Sequence, residues 1–367
     1  MKIVSVVGAR PQFVKLAPLD KVIKKSNNHV IIHTGQHYDD TMSEVFFDEL
    51  SIPIPDYNLG VGSATPAAQT SKIIYELEKV LTKEKPELTI VYGDTNSTLA
   101  ATIVSLQAHI PVAHVEAGPR NKRIDIPEML NRLVADRLSS LLFCATEQNL
   151  ENLKREGMDK SAHFVGDLMY DVFVQMEKHF SNRNSLISKL GIVKGEYHVA
   201  TCHRAENTDS NKRLEAITKA LCESNEIIVF SLHPRTRKML EKFGLYTSLE
   251  KSNNVLLIPP QGYLDFMALS SNAKKIITDS GGLQREAYFL KKPCINIYDH
   301  TYWPEIEKDG WQEVTGIDKN QIVKSIRNFE PKKIQNNIFG DGNAAEKISK
   351  IINSFDMESS FDFNLGK

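Results

Sequence analysis

Short apolar runs recur along the chain and alternate with longer segments whose apolar positions repeat every three to four residues. The first kind predicts strands buried on both faces, and the second predicts helices packed over them. In the first half, strands are expected at residues 2–7, 30–33, 88–92, 112–116, 141–144 and 163–165. In the second half they are expected at 197–201, 227–231, 255–258, 275–278 and 294–297. Strand and helix in regular alternation mark parallel sheets covered on both faces. The predicted class is therefore α/β, with one doubly wound, Rossmann-like domain after another.

The polar segment 179–184, a short helix and the turn from Gly191 to Gly195 interrupt this alternation. They place the domain boundary near residues 170–185. We expect a first domain over 1–175, a second over 176–343, and a last helical pattern within 344–367 that packs back on the first. The tail from Asp356 reads as frayed.

A chain of 367 residues exceeds one typical core, in keeping with two domains. Lys and Arg number 45 against 46 Asp and Glu, a formal net charge of −1, so no basic field marks nucleic acid as a partner. The N-terminus enters a strand at once, without the pattern of a secretory signal, and no apolar stretch approaches the ~18 residues of a membrane span. A cytoplasmic protein without a membrane partner is expected. Cys144, Cys202, Cys222 and Cys294 are scattered, which predicts neither disulfides nor a metal site. Gly60-Val61-Gly62 lacks the third glycine of the dinucleotide fingerprint and no P-loop occurs, so no cofactor is expected.

The candidate chemistry gathers where strands end, because ligands of open α/β sheets bind beyond the carboxyl ends of the strands. In the first half these ends carry Arg10 and Lys15, then Asp94, Glu116 and Glu128. Three carboxylates among two cations suit acid–base chemistry at an anionic substrate. Asp94 also reads as a turn cap and Glu128 as a helix-dipole partner. Glu116, on an apolar strand end, needs a partner and is the better site candidate.

In the second half, His203 and Arg204 follow one strand and His233 the next, with Arg235 close by. The run Thr278-Asp279-Ser280-Gly281-Gly282 then places two glycines at a helix start, with Glu286 one turn inward. Orphan N–H groups at such a terminus favour a diphosphate, and Glu286 suits the vicinal hydroxyls of a ribose. An ordinary helix cap is the competing reading of the same residues. His203 and Arg204 suit a leaving phosphate, as hydrogen-bond or proton donor and fixed charge.

Taken in order, GARPQFVKLAPL, HTGQHYD, VYGDTNSTLA, HVEAG, PEMLNR, CHRAEN, LHPRTR and DSGGLQREA resemble the non-hydrolysing UDP-N-acetylglucosamine 2-epimerases over essentially the full length. The resemblance implies the glycosyltransferase-B architecture, two Rossmann-like domains facing a cleft that closes to exclude water. It implies Arg10, Lys15, Asp94, Glu116, Glu128 and His203 in the active site, and His233, Ser280, Gly281, Gly282 and Glu286 around UDP. It further implies a UDP-sugar substrate, a homodimer, and interconversion of UDP-GlcNAc and UDP-ManNAc through 2-acetamidoglucal and bound UDP.

The chain departs from that family pattern in four places. Pro127-Glu128-Met129 stands for the usual PEE, Pro119-Arg120-Asn121 for Leu-Arg-Ser, and Tyr298 to Glu305 for RDTTERPE. Gln36-His37-Tyr38-Asp39 replaces the Gln-His-Arg-Glu of substrate-activated members. HRAENTD, LHPRTR and QGYLDF also resemble the branch acting on UDP-2,3-diacetamido-2,3-dideoxyglucuronate, the alternative substrate. A glycosyltransferase of the same architecture, a hydrolysing epimerase and a catalytically inert sugar-nucleotide sensor are the competing functions.

Overall fold

A computed structural model describes residues 1–36, 52–120 and 125–356. Three of the sequence readings fall at least partly outside them: the Gln36 motif after its first residue, Asn121, and the tail after Asp356. The chain divides into two compact units, Met1–Gln175 with Asn337–Lys367, and Met176–Asn336.

The first unit is a parallel sheet of seven strands in the order β3-β2-β1-β4-β5-β6-β7. Its strands are β1 (Lys2–Val7), β2 (Asn28–His33), β3 (Tyr57–Asn58), β4 (Leu88–Tyr92), β5 (Val112–Val115), β6 (Leu141–Cys144) and β7 (Ala162–Phe164). Val4, Val6, Ile32, Val91 and Val112 fill one face together with Leu77 and Leu81 of helix Pro66–Glu84. Near-continuous apolar strands buried on both sides are what a parallel sheet under two helical layers requires.

The second unit repeats the plan with six strands in the order β10-β9-β8-β11-β12-β13. These are β8 (Tyr197–Thr201), β9 (Ile227–Ser231), β10 (Val255–Ile258), β11 (Ile276–Thr278), β12 (Cys294–Asn296) and β13 (Gln312–Val314). Both orders start from a central strand, run outward to one edge, and then resume on its other side. Each unit is thus doubly wound, as the sequence pattern predicts, with one switch point at β1/β4 and another at β8/β11.

Two strands escaped the sequence reading, β3 and β13. Both are two- or three-residue edge strands with half-exposed polar positions, which leave no apolar run to detect. The strand predicted over 112–116 stops at Val115, because Glu116 takes a φ of 66° and leaves the pleat. Of the four cysteines, all unpaired, only Cys222 is incompletely buried.

Helix Ala344–Ser354 belongs to the first unit and lies along helix Arg10–Ile23, where Glu346 meets Lys25 at 2.9 Å. Its own cap residue, Asn343, makes no side-chain capping bond. Asp171 supplies the cap from helix Leu168–Phe180, its carboxyl oxygens accepting from Ala344 N at 3.0 Å and Ala345 N at 2.8 Å.

His198, on β8, is fully buried, and neither ring nitrogen has a hydrogen-bond partner. The Glu226 carboxylate stands 3.5 Å from Nε2, too far for a strong bond. Burial dominates and depresses the imidazole pKa to about 4, from 6.5 in an open chain. Between those values the unfolded chain binds the proton that the folded one refuses, so stability falls as pH drops through this window. The loss approaches ~3 kcal/mol near the lower end. Urea unfolding at pH 7.5 and 4.5, followed by hydrogen exchange at Val199 and Val229, will show this decline, and His198→Leu will reduce it. An equal acid sensitivity in the variant would refute the assignment.

Candidate active site

In the first unit the chain leaves β1 at Gly8, and a Cβ there would lie 2.0 Å from Ser97 Oγ and 2.4 Å from Thr34 Oγ1. Glycine is therefore required by the close approach of the neighbouring loops. Gln12 ties this turn to the end of β4. Its Oε1 accepts from Gly8 N at 2.7 Å and Ala9 N at 3.1 Å, while Nε2 donates to Tyr92 O at 2.5 Å and Thr95 Oγ1 at 3.0 Å. Arg10 opens helix Arg10–Ile23 on the exposed side, and Lys15 points inward, buried, with Nζ on Glu116 Oε2.

Asp94 and Glu116 meet at one guanidinium. Arg132, inside helix Pro127–Leu138, donates to Asp94 Oδ2 at 2.6 Å, to the Glu116 main-chain oxygen, and to Glu116 Oε1 at 3.4 Å. Lys15 and Arg132 are only 4% and 5% exposed. Two buried cations thus face the Glu116 carboxylate, 12% exposed, and the Asp94 carboxylate, 36% exposed. Burial alone would lower the Arg132 pKa, but the Asp94, Glu116 and Asp136 carboxylates outweigh it and the guanidinium is held charged more firmly than usual. Asn131 fixes the same loop by donating to Asp94 O at 3.0 Å.

Glu128 lies apart from this clamp, exposed in the first turn of the Arg132 helix and one turn ahead of it. Of the five residues the sequence gathered here, then, the structure joins Lys15, Asp94 and Glu116 directly, and leaves Arg10 and Glu128 on exposed first-turn positions. Glu116 also carries left-handed backbone, which costs a non-glycine residue about 1–3 kcal/mol.

The second unit is organised by another carboxylate. Asp279, fully buried after β11, accepts from His203 N at 3.0 Å, Arg204 N at 3.0 Å and Asn207 Nδ2 at 3.0 Å. It gathers the turn after β8 to the glycine turn at the switch point. Ser280 caps helix Gly281–Phe289, its Oγ accepting from Leu283 N at 3.4 Å. Neither Gly281 nor Gly282 has positive φ, so their value is a missing side chain. A Cβ on Gly281 would press on the Tyr302 ring at 3.1 Å, whereas one on Gly282 would meet only Ser280 Oγ, at 3.8 Å.

His203 and His233 hold their rings 5.9 Å apart. His233 Nδ1 accepts from Arg235 N at 3.2 Å, which leaves Nε2 as the hydrogen-bearing nitrogen of a neutral ring. Arg204 lies over Tyr302, 4.4 Å from the ring centre, and donates from Nε to Asp279 O at 3.2 Å. Glu286, half-buried on the glycine helix, interacts electrostatically with Tyr263. Among the described residues no cluster of three or more His, Cys, Asp or Glu side chains could hold a metal ion.

Sequence reasoning missed Gln12, Arg132, Asn207 and Asp279. A signal existed for Arg132: Met129, Arg132, Ala135 and Asp136 occupy one buried stripe of their helix, and two of the four are charged. Charges on an apolar stripe need partners.

A family model described as UDP-N-acetylglucosamine 2-epimerase matches residues 21–353. A UDP-N-acetylglucosamine 2-epimerase homolog of Methanococcus maripaludis is 48% identical over 354 residues, 96% of this chain and 99% of that one. The UDP-2,3-diacetamido-2,3-dideoxy-D-glucuronate 2-epimerase of Pseudomonas aeruginosa is 40% identical over 365 residues, 96% and 99% of the two chains. The crystal structure of Methanocaldococcus jannaschii UDP-GlcNAc 2-epimerase with UDP-GlcNAc and UDP matches with a TM-score of 0.85 at 40% identity, over 97% of this chain and 100% of that one. The likeness spans both units, and the architecture is that of the glycosyltransferase-B class.

His203 has its imidazole pKa lowered below 6.5, first by burial and then by His233 and Arg204, with Asp279 opposing. The ring therefore enters neutral pH largely uncharged. An NMR titration of the His203 ring should give a midpoint below 6.5, and Asp279→Asn should depress it further. A midpoint at or above 6.5, or an upward move in the variant, would contradict this picture.

Proposed function

The chain belongs to the UDP-N-acetylglucosamine 2-epimerase family, and on that premise we propose that it interconverts UDP-GlcNAc and UDP-ManNAc. The observation that carries the reading is the placement of Asp94 and Glu116 on one buried guanidinium with Lys15 beside them. Such a clamp sets two carboxylates against fixed positive charge.

The C2 proton of the sugar is not acidic, since that carbon bears an amide nitrogen and no adjacent carbonyl. Removing it becomes feasible when the C1–O bond breaks in the same event. The C–H electron pair then forms the C1=C2 bond, the C1–O pair departs with UDP, and the proton passes to a carboxylate. The products are 2-acetamidoglucal and UDP. Protonation of C2 from the opposite face, with return of UDP to C1, gives the epimer.

In this scheme Asp94 and Glu116 enter as carboxylates, to accept the proton and to stabilise positive character at C1, and Glu128 completes the acid–base set. The glycine helix with Ser280, Gly281, Gly282 and Glu286 receives UDP, with His233. His203, Arg204, Arg10 and Lys15 act on its phosphates. A largely neutral His203 suits hydrogen-bond donation to the departing phosphate. We include in this reading the cytoplasmic homodimer carried over from the family. Among the described residues no helix is long and apolar enough to cross a membrane.

The Pseudomonas relative favours a second substrate for the same chemistry, UDP-2,3-diacetamido-2,3-dideoxyglucuronate. The segment departing from the family pattern, Tyr298 to Glu305, sets Tyr302 over Gly281 and Trp303 Nε1 on the Gly281 oxygen at 2.9 Å. Substrate choice is therefore expected to depend on it.

Proton NMR of the purified protein with UDP-GlcNAc in deuterated water should show UDP-ManNAc appearing with deuterium at C2, with no acceptor, nicotinamide or metal added. Asp94→Asn, Glu116→Gln and Glu128→Gln should each lower turnover by roughly 100-fold or more. Absence of exchange from UDP-GlcNAc but exchange from the diacetamido-uronic nucleotide would transfer the assignment to that substrate. Release of free sugar and UDP would replace epimerase by hydrolase.

A further inference from the structure

His114 lies on β5, two residues before Glu116, and is fully buried. One ring nitrogen, Nδ1, is 2.7 Å from Asp136 Oδ1; the other, Nε2, is 2.6 Å from the main-chain oxygen of Gly93. Both partners are acceptors, one on each side of the ring, so the imidazole reaches a different loop through each nitrogen. Asp136 is likewise almost fully buried. Burial works against its charge, but the His114 bond and the Arg120 and Arg132 cations prevail, and its pKa is lowered.

The partners of this pair are telling. Gly93 immediately precedes Asp94 and turns with a φ of 63°. The other Asp136 oxygen, Oδ2, accepts from Gly118 N at 3.1 Å and from Arg120 at 2.6 Å. Gly118 lies two residues after Glu116, with a φ of 91° and no room for a side chain, since a Cβ would fall 2.5 Å from the Asn149 oxygen. Arg120 is in turn held by Glu156 through two bonds of 2.6 and 2.7 Å. One continuous chain of charge-assisted bonds therefore runs from the turn that carries Asp94 to the turn that carries Glu116.

From this we infer that His114 is a positioning residue for the reaction: bonded to Asp136 and to the Gly93 oxygen, it fixes Asp94 and Glu116 in the register at which they share Arg132. The inference rests on the proposed epimerisation. A buried histidine needs partners at both ring nitrogens in any role, as His29 on β2 finds in Asp20 and Ser5, so the identity of the partners is what distinguishes His114. Here both ends are spent on the two loops that bear the carboxylates, and Glu116 is held in a left-handed conformation between them. Buried polar groups that must all be satisfied make such a register unique, because any slip leaves one of them unpaired.

The test uses the full-length protein and four variants: His114→Gln, Asp136→Asn, Asp94→Asn, and His114→Gln combined with Asp94→Asn. Glutamine can donate toward only one of the two loops. Thermal melts establish folding, and NMR in deuterated water gives kcat and KM for UDP-GlcNAc together with deuterium entry at C2. We expect His114→Gln to lower kcat roughly 10- to 100-fold with KM within about threefold, the signature of misplaced groups that act in the transition state. In the Asp94→Asn background the same change should cost far less, because one of the groups being positioned is already gone. Proton–nitrogen correlation should also show a His114 ring hydrogen held in a hydrogen bond and protected from exchange with solvent.

A folded His114→Gln protein with kcat within twofold of the parent, or a loss that multiplies in full with that of Asp94→Asn, would overturn the inference. A His114 ring whose hydrogen exchanges freely with solvent would do the same. Should His114→Gln not fold, Asp136→Asn decides: lowered kcat at unchanged KM supports the inference, and unchanged kcat refutes it. If the parent protein itself fails to exchange deuterium into UDP-GlcNAc, it is the proposed substrate that has failed, and the correlation spectrum still reports on His114.

Discussion

The Arg132 guanidinium, shared by Asp94 and Glu116, is the constraint on which the proposed site of the first unit depends. Two carboxylates brought together repel, and a fixed cation between them offsets that repulsion. Arginine suits that position because its planar fork offers several donors and it does not lose its charge. Lys15 balances the count from the other side. Removing one partner from such a buried set typically costs ~3–5 kcal/mol, since an uncompensated charge is left behind. The arrangement is thus held in place by electrostatics and does not rely on packing alone.

The parallel sheet determines where this can be built. Each unit reverses its strand order once, and at that point the turns after two adjacent strands part to leave room for polar groups. Both units fill the opening in the same way, with a buried polar side chain that bonds to main-chain atoms of the turns. In the first unit Gln12 joins the ends of β1 and β4, and Arg132 reaches the turn after β5. In the second, Asp279 takes the N–H groups of His203 and Arg204 after β8. The groups proposed to meet substrate therefore stand on turns whose backbone is already tied down, which limits the reorganisation left for the reaction itself.

The sheets were largely legible in the sequence because central parallel strands are apolar on both faces, and such runs stand out. β3 and β13 were not, since at an edge the burial that produces the pattern is halved. The proposed ligand-facing residues were legible for a different reason. Arg10, Asp94, His203 and Gly281 follow strand ends, where polar residues are conspicuous after an apolar run. Arg132, Asp136 and Asp279 bond across the fold to residues distant in sequence; the charged stripe of helix Pro127–Leu138 signals that Arg132 and Asp136 need partners, but no local pattern says which. The left-handed turn at Glu116 was hidden as well. Val112 to Val115 predict a strand that simply continues, and only the need to present a main-chain oxygen to Arg132 and a carboxylate to Lys15 reveals why it stops.

The glycine turn shows how a motif can be right in its residues yet uneven in its reasons. Gly281-Gly282 invites the reading that both glycines clear a path for phosphate. Gly281 is buried, however, and the atoms its missing Cβ would meet are those of the Tyr302 ring, over which Arg204 also lies. Any side chain there would displace Tyr302, and with it the cation stacked on it. Gly282 is exposed and faces open space. The proposed approach of an anion to main-chain N–H groups therefore falls to Gly282 and the Ser280 cap, while Gly281 serves the aromatic segment Tyr298 to Trp303. Since that segment is where the chain departs from the family pattern, a substitution at Gly281 acts on the part of the site special to this protein. One at Gly282 acts on the part its relatives share.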